Sequence, residues 1–409
     1  MKKILHTFDL YMLSLMILSL PSLEAPKNFF LVGFLVTRLI TEIIQFKKGM
    51  RLWFGWDTCF MMIVFTALLS TLYAGMPHKE EWRGFGVFMT AILTAWFLSR
   101  AQYSRENYQG LFTLIIFGAI PPLLWGLYQY LIIHTKPDLQ LHSVGHVNHS
   151  AIYLVMIFGA ALGWFMSHFD LDKFKVKFSV TIGVLILALF IIIIITESRA
   201  AYGVSIILSL LVIKFIGQNI KIKIASVISI ISIVILSIFF ETAVVKEQID
   251  NQKANNVLAL RDKVWNVSLE ASRFHPLFGI GLSNWHFISI EDLRVSVGSR
   301  GEKFNPKNYF FPGHSHNLYL SALVERGFVG LLVTIVFMVF WITHLIRTFN
   351  WAKKTSQASY LWAGSLSAFI TTYVIGLVNT TFHHEHGILA CLFLGLYLSY
   401  TRVFSKKIL

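Results

Sequence analysis

The chain is 409 residues long, 56% hydrophobic and only 14% charged, with a formal net charge of +14. Folded as one soluble globule it would leave far too much apolar surface uncovered, so the composition excludes that class and describes a polytopic membrane protein. The positive charge does not indicate nucleic acid, because the basic residues are spread over short segments between apolar runs instead of forming one patch.

Along the chain, apolar stretches of roughly 17 to 24 residues recur, each long enough to cross ~30 Å of hydrocarbon. The pattern predicts about twelve spans, at 8–24, 29–46, 57–76, 84–101, 110–133, 150–169, 178–196, 200–217, 224–243, 327–348, 358–380 and 387–404. Backbone groups in lipid must be paired within their own segment, and these runs lack the alternation of a barrel strand, so all are expected to be helices. The expected fold is all-α, one integral membrane domain over 1–409. Met1-Lys2-Lys3 and the apolar run to Leu20 resemble a signal peptide, but Asp9 interrupts the run and Ser22-Leu23-Glu24-Ala25 lacks the small-x-small cleavage pattern. The segment is read as a retained first span. Lys47, Lys48, Arg51, Arg100, Arg105, Lys173, Lys175, Arg347, Lys353 and Lys406 fall on one side of the spans, against Lys27, Lys79, Arg83, Lys136 and Arg199 on the other. The positive-inside rule then places both termini in the cytoplasm. Cys59 and Cys391 fall near opposite ends of their spans, and no disulfide between them is expected.

This topology puts 244–313 outside, between spans nine and ten, as the one long loop, and loops of that size are usually functional. Within it, Leu258 to Arg273 reads as an amphipathic helix with Arg261, Trp265 and Ser272 on one side, ended by Pro276, Gly279 and Gly281. A shorter outer loop, His134 to His149, is rich in His and Asn. No internal repeat and no Rossmann-type glycine pattern is present.

The long loop leads into His314-Ser315-His316-Asn317 and then the tenth span, a stretch that sets an ionisable pair where water meets lipid. Read as a continuous helix, His316, Leu320, Leu323, Gly327, Gly330 and Thr334 lie within roughly 40° of one line, so one face carries an imidazole above two glycines. Glycines there let a neighbouring helix approach closely and hold His316 in a fixed orientation. Alternatively, His316 caps the helix and the glycines only pack. Arg199, in Glu197-Ser198-Arg199 between two spans, sits at the outer surface and calls for an anionic partner, since an arginine at bilayer depth costs up to ~3 kcal/mol. A headgroup phosphate or Glu197 would satisfy it equally. Arg261 and Trp265, one helical turn apart, can lay an indole at the interface and a guanidinium on a phosphate, or be a solvated arginine beside an ordinary interfacial tryptophan. His383-His384-Glu385-His386 is the most metal-like cluster but lacks the spacing of a zinc motif and an evident fourth ligand. Glu291-Asp292 in the long loop is an acidic pair with nothing around it to strengthen a cation site.

Together these motifs carry a family likeness. His316-Asn317, nine residues, Gly327, two residues, Gly330, directly after a long external loop, resembles the signature of the O-antigen ligase and O-antigen polymerase superfamily. Glu197-Ser198-Arg199 with Tyr202-Gly203 looks like its arginine turn. Arg261 with Trp265, followed by His275-Pro276-Leu277-Phe278-Gly279-Ile280-Gly281, looks like its loop helix and the turn after it. His146-Val147-Asn148-His149 resembles its Asn-containing outer turn.

The resemblance implies a GT-C-like helical fold in the inner membrane of a Gram-negative bacterium, with 244–313 and the active site facing the periplasm. It also implies transfer of glycan from an undecaprenyl diphosphate-linked donor. The ligase branch, whose length and late long loop this chain shares, uses the lipid A core as acceptor; the polymerase branch extends another lipid-linked repeat. The implied partners are that donor, that acceptor and membrane lipids, with no nucleic acid. A sugar diphosphate is already a good leaving group, so the chemistry needs cations for developing phosphate charge more than a strong acid. Arg199 and Arg261 supply permanently charged donors without a metal or cofactor, and His316 takes the acceptor hydroxyl proton. Trp265, His314 and Asn317 are expected to bind substrate, and Gly327 and Gly330 to be structural. The transfer is expected to be inverting. A different class, a transporter or flippase of lipid-linked glycan, fits less well, because such proteins place charges at the bilayer midplane in paired halves.

Overall fold

The computed structural model describes residues 2–47, 53–141, 147–168, 176–217, 219–240, 242–253 and 258–405. Lys48, Arg51, Lys173, Lys175, Lys406 and His146 lie outside the described residues. The all-helical expectation holds: the elements are α1 (Lys2–Ser19), α2 (Glu24–Phe46), α3 (Gly55–Leu72), α4 (Glu81–Ser99), α5 (Arg105–Gly118), α6 (Ile120–Leu131), α7 (Val147–His168), α8 (Val176–Ile195), α9 (Arg199–Phe215), α10 (Ile220–Phe239), α11 (Ala243–Lys253), α12 (Arg261–Ala271), α13 (Ile290–Gly298), α14 (Leu318–Ala352), α15 (Ser356–Ile375) and α16 (His384–Phe404). No strand occurs among the described residues.

By length and composition, 7 helical stretches among the described residues can cross a membrane: α2, α3, the α5–α6 pair, α7, α10, α14 and α16. The count of about twelve is not reached by apolarity alone. The other expected spans coincide with helices that are shorter in their apolar part or less apolar. α15 explains why: it is buried nearly end to end, with Ser359, Ser365, Ser367, Thr371 and Thr372 inside the protein, so it faces neighbouring helices and needs little apolar surface. α10 is the opposite case, exposing Ile224, Ile228, Ile231, Ile235 and Ile238 and burying almost nothing, as a helix solvated by lipid does.

The interior is built on α7, which lies against α15 and α9. Gly159 and Gly163, four apart on one face, bring α7 so close that a Cβ at either would overlap Ser367 or Ala363 of α15. Cys59 and Cys391 are buried and free. Asp9, which interrupted the first apolar run, is buried where Arg38 and the Tyr103 hydroxyl donate to it at 3.2 and 2.7 Å. Arg38 also donates to Glu42 at 2.9 Å, and Arg100 donates to Glu42 and to Asp57 at 2.7 and 2.6 Å. A buried charge is tolerated only when paired and hydrogen-bonded in this way.

α14 departs from the continuous helix expected of it. It begins at Leu318, well before the expected span start at 327, because the Asn317 side chain accepts from the Tyr319 and Leu320 amides at 2.9 and 3.0 Å and caps it. It then breaks at Gly327, whose φ of 66° and ψ of −171° lie outside the helical region. His316, Gly327 and Gly330 therefore do not share one helical face. The glycines do not admit a neighbouring helix either. Into the break fits the turn 276–281: the Phe328 and Val329 amides donate to the Pro276 and Leu277 carbonyls at 2.7 and 3.3 Å, and the Ile280 and Gly281 amides donate to Val324 and Glu325 at 2.9 and 3.1 Å. The far side of the turn accepts from the Gly75 and Met76 amides, both at 3.1 Å. Two amides and two carbonyls freed by the break are thus paired, as backbone groups must be where water is scarce. A Cβ at Gly327 would run into the Leu277 carbonyl, and one at Gly330 would meet the Arg326 side chain.

The stretch between α10 and α14 has its own small core. Val264, Val267 and Ala271 of α12 pack with Ile280, Trp285, Ile288 and Leu293, and Val324 of α14 closes the cluster. Asn284 holds this unit to the start of α4: its amide donates to the Met76 and Ile280 carbonyls at 2.8 and 2.9 Å, and its oxygen accepts from the Glu80 amide at 3.0 Å. Gly327→Ala is expected to lower stability by about 3 kcal/mol, from the left-handed backbone plus the overlap with Leu277, and to appear as a drop in Tm in detergent. A Tm equal to wild type would mean that the turn does not hold the break open.

Candidate functional site around a histidine-lined cavity

A cavity of about 340 Å3 opens beside the break in α14. His149, His314, Glu325, Arg326, His383 and His384 line it, with Arg83 at its edge. Three separate connections bring these imidazoles together. His149 starts α7, His314 ends the long connection before α14, and His383 and His384 start α16. The His149 ring lies 6.2, 5.2 and 5.0 Å from those of His383, His384 and His386, centre to centre. Burial, reinforced by His384, His149 and His314, pushes the His383 imidazole well below its usual range, so it is neutral at pH 7.

His316 stands beside His314 with ring centres 4.1 Å apart. Its φ of 47° is left-handed, an uncommon conformation for a residue with a side chain and one that concentrates at functional sites. Ser315, fully buried between them, donates to the Asn317 carbonyl at 2.7 Å and contacts the Ser321 hydroxyl at 2.5 Å, which fixes the His-Ser-His turn. The Asn317 amide nitrogen donates to the Leu377 carbonyl at 2.8 Å. Arg261 Nε donates to the next carbonyl, Val378, at 2.9 Å. The turn between α15 and α16 therefore gathers Arg261 and His316-Asn317 on one scaffold. Arg199 is supported elsewhere, by Gln248 of α11, whose side-chain oxygen accepts from it at 2.7 Å.

Arg199 and Arg261 share a local design. Each is the first residue of its helix, with a left-handed residue close before it: Leu260 at φ 62° directly before Arg261, and Glu197 at φ 57° two before Arg199. His316 likewise precedes the start of α14 by two residues. A helix start offers unpaired amides and the positive end of the helix dipole, so these positions suit negatively charged oxygen. Trp265, one turn after Arg261, has a buried indole N–H with no hydrogen-bond partner among the described residues.

Glu325 and Arg326, to which sequence reasoning assigned no role, sit on the cavity wall. Arg326 donates to the Thr334 hydroxyl at 2.9 Å and lies over the Phe88 ring at 4.7 Å. The signal for them was present: a charged pair inside an apolar run is a functional candidate by default. Asn317, expected to bind substrate, spends its side chain on capping α14 and holding Leu377. Among the described residues no group of three or more His, Cys, Asp or Glu side chains could hold a metal ion. Glu385 is paired with Lys27 at 2.7 Å. Asp292 caps α13 by accepting from the Ser289 amide and hydroxyl at 2.9 and 2.7 Å, and Glu291 pairs with Arg294 at 3.1 Å.

On α12, Glu270 accepts from Arg300 at 2.6 and 3.0 Å in a two-pronged pair and from the Ser296 hydroxyl at 2.6 Å. Burial raises its carboxyl, but Arg300 and Ser296 outweigh that and hold it below the usual value. A carboxyl depressed on folding contributes stability that is present above its unfolded value, about 4.3, and lost as pH falls through the folded one. Amide exchange in α12 and α13 is therefore expected to quicken from pH 6 to pH 3.5 or so, and Glu270→Gln to remove that dependence. Equal pH sensitivity in the variant would assign the effect to other carboxyls.

Fold and site together describe a helical membrane protein with a histidine-lined cavity beside a broken helix and two arginines at helix starts. Residues 183–335 match the family model described as O-antigen ligase, which supports membership of the O-antigen ligase/polymerase superfamily, a glycosyltransferase-like class acting on lipid-linked glycans. Comparison with curated proteins returns no match.

Proposed function

We propose that this protein is an O-antigen ligase: it transfers O-antigen polysaccharide from undecaprenyl diphosphate to the lipid A core at the periplasmic face of the bacterial inner membrane. About twelve spans hold both termini in the cytoplasm, and 244–313 forms the periplasmic loop. The observation that carries this reading is the family match at 183–335, which takes in every candidate from Arg199 to Gly330. Arg199 and Arg261 hold the diphosphate, the second with its plane set by the Val378 carbonyl. His316 removes the acceptor proton as the hydroxyl attacks the anomeric carbon. The bond between the anomeric carbon and the phosphate oxygen breaks, and undecaprenyl diphosphate leaves with the electron pair on that oxygen. Trp265 and His314 contact substrate.

One assay on purified enzyme tests the chemistry, using defined donor and core acceptor with excess EDTA and product linkage read by NMR. Undiminished transfer with inverted anomeric configuration is expected, because direct displacement by the acceptor passes through no glycosyl-enzyme intermediate. Activity that disappears with EDTA and returns with a divalent metal would assign the diphosphate to a cation instead. Deleting the protein separates the two branches. Bare core with glycan stranded on undecaprenyl diphosphate marks a ligase; core bearing a single repeat marks a polymerase and would replace the acceptor assigned here.

A further inference from the structure

A second and larger cavity, about 760 Å3, lies at the other end of the same helices and shares no lining residue with the first. α4, α14 and α16 contribute to both, and α3 to the larger one. From Gly327 to His344 α14 rises about 26 Å at 1.5 Å per residue, close to the ~30 Å of a hydrocarbon core, so the two cavities open near opposite membrane surfaces. The walls of the second carry Trp53, Trp56, Arg100, His344, Arg347 and Arg402.

The charges of this wall are unevenly satisfied. The one carboxylate among the described residues that line it, Asp57, already accepts from Arg100 at 2.6 Å, from the Trp96 indole at 2.7 Å and from the Phe54 amide at 2.7 Å. Glu42, just behind, is taken by Arg38 and Arg100. Arg347 and Arg402 make no ion pair among the described residues. The Arg402 guanidinium carbon lies 3.8 Å from the centre of the Phe54 ring, a contact to a ring face that leaves N–H donors of a guanidinium for an anion. Two guanidiniums that make no ion pair among the described residues, beside two indoles in a large space at interface depth, match a molecule with a phosphate at one end and apolar chains at the other.

We propose that this cavity binds a phosphate group, with Arg347 and Arg402 on the phosphate and Trp53 and Trp56 against the carbon part of the molecule that carries it. The phosphate can come from a phospholipid headgroup or from a soluble phosphate ester. Purified full-length protein in neutral detergent is titrated with dioleoylphosphatidylglycerol, dioleoylphosphatidylcholine and inorganic phosphate, read by native mass spectrometry and thermal unfolding. Phosphatidylglycerol is expected to bind and raise Tm, and Arg347→Gln and Arg402→Gln each to weaken it about tenfold, the loss of one charge-assisted contact. Arg402 also packs on Phe54, so the decisive variant is Arg347→Gln, whose side chain is exposed. Arg294→Gln, an exposed charge on α13, is expected to change nothing. Competition by inorganic phosphate that Arg347→Gln abolishes assigns a soluble ester, and a response to phosphatidylglycerol alone assigns the headgroup; either sustains the site. Wild-type affinity in Arg347→Gln, an equal loss in Arg294→Gln, or phosphatidylcholine binding as tightly as phosphatidylglycerol overturns it.

Discussion

His316→Ala is expected to reduce glycan transfer by about 10²- to 10⁴-fold, the range over which a positioned base acts, while membrane insertion and donor binding stay near wild type. The imidazole acts on the acceptor hydroxyl and not on the diphosphate, so kcat falls and donor affinity does not. Alanine also loses the ease of holding φ at 47°, which would confuse a folding effect with a chemical one. Asparagine tolerates the left-handed backbone and cannot serve as base, so His316→Asn should be equally inactive with a normal Tm. His314→Asn, which keeps His316 but removes the ring packed on it, should chiefly raise KM. Near wild-type transfer by His316→Asn would take the base assignment away from this residue, and full inactivity of His314→Asn with unchanged KM would move it to His314.

Arg261→Lys is expected to lose roughly 10- to 100-fold in kcat/KM, and Arg199→Lys a similar amount, because an ammonium keeps the charge but not the two-pronged donor face. For Arg261 the loss has a second origin in the structure. Its Nε is tied to the Val378 carbonyl, and a lysine cannot make that bond and reach a phosphate together. Arg199 has its own positioning contact in Gln248, so Gln248→Ala should reproduce part of the Arg199→Lys defect without removing charge. The comparison to make is lysine against alanine at each position. If lysine restores full activity, the two residues contribute bulk charge only, and a clamp on the diphosphate is the wrong picture.

Helix positions were readable because apolar runs and caps are local signals. Asn317 ahead of an apolar run is a helix start, and the structure uses it so, although its side chain was expected to contact substrate. What could not be read depends on partners far along the chain. Nothing near Gly327 announces that its break is filled from 276–281, since that pairing is made by backbone groups, which carry no residue code. Asp9, Asp57 and Arg100 look like isolated charges near span ends and Arg38 with Glu42 like a pair within one span, and only the folding of α1, α2, α3 and α4 onto one another turns them into a buried network. The site divides the same way. Arg261 and His316 stood out by residue type, but the convergence of His149, His314, His383 and His384 belongs to tertiary structure alone.

The turn that fills the break in α14 also bears on how the chain is assembled. Residues 75–76 and 276–281 both precede α14 in the sequence, so a ribosome completes every partner of the break before the broken helix itself emerges. α14 can therefore leave the insertion machinery into a waiting socket, and its unwound turn need never face lipid with bare amides and carbonyls. Moving those two segments behind α14, as a circular permutation would, reverses that order and leaves the helix to enter the membrane unbroken and bend only later.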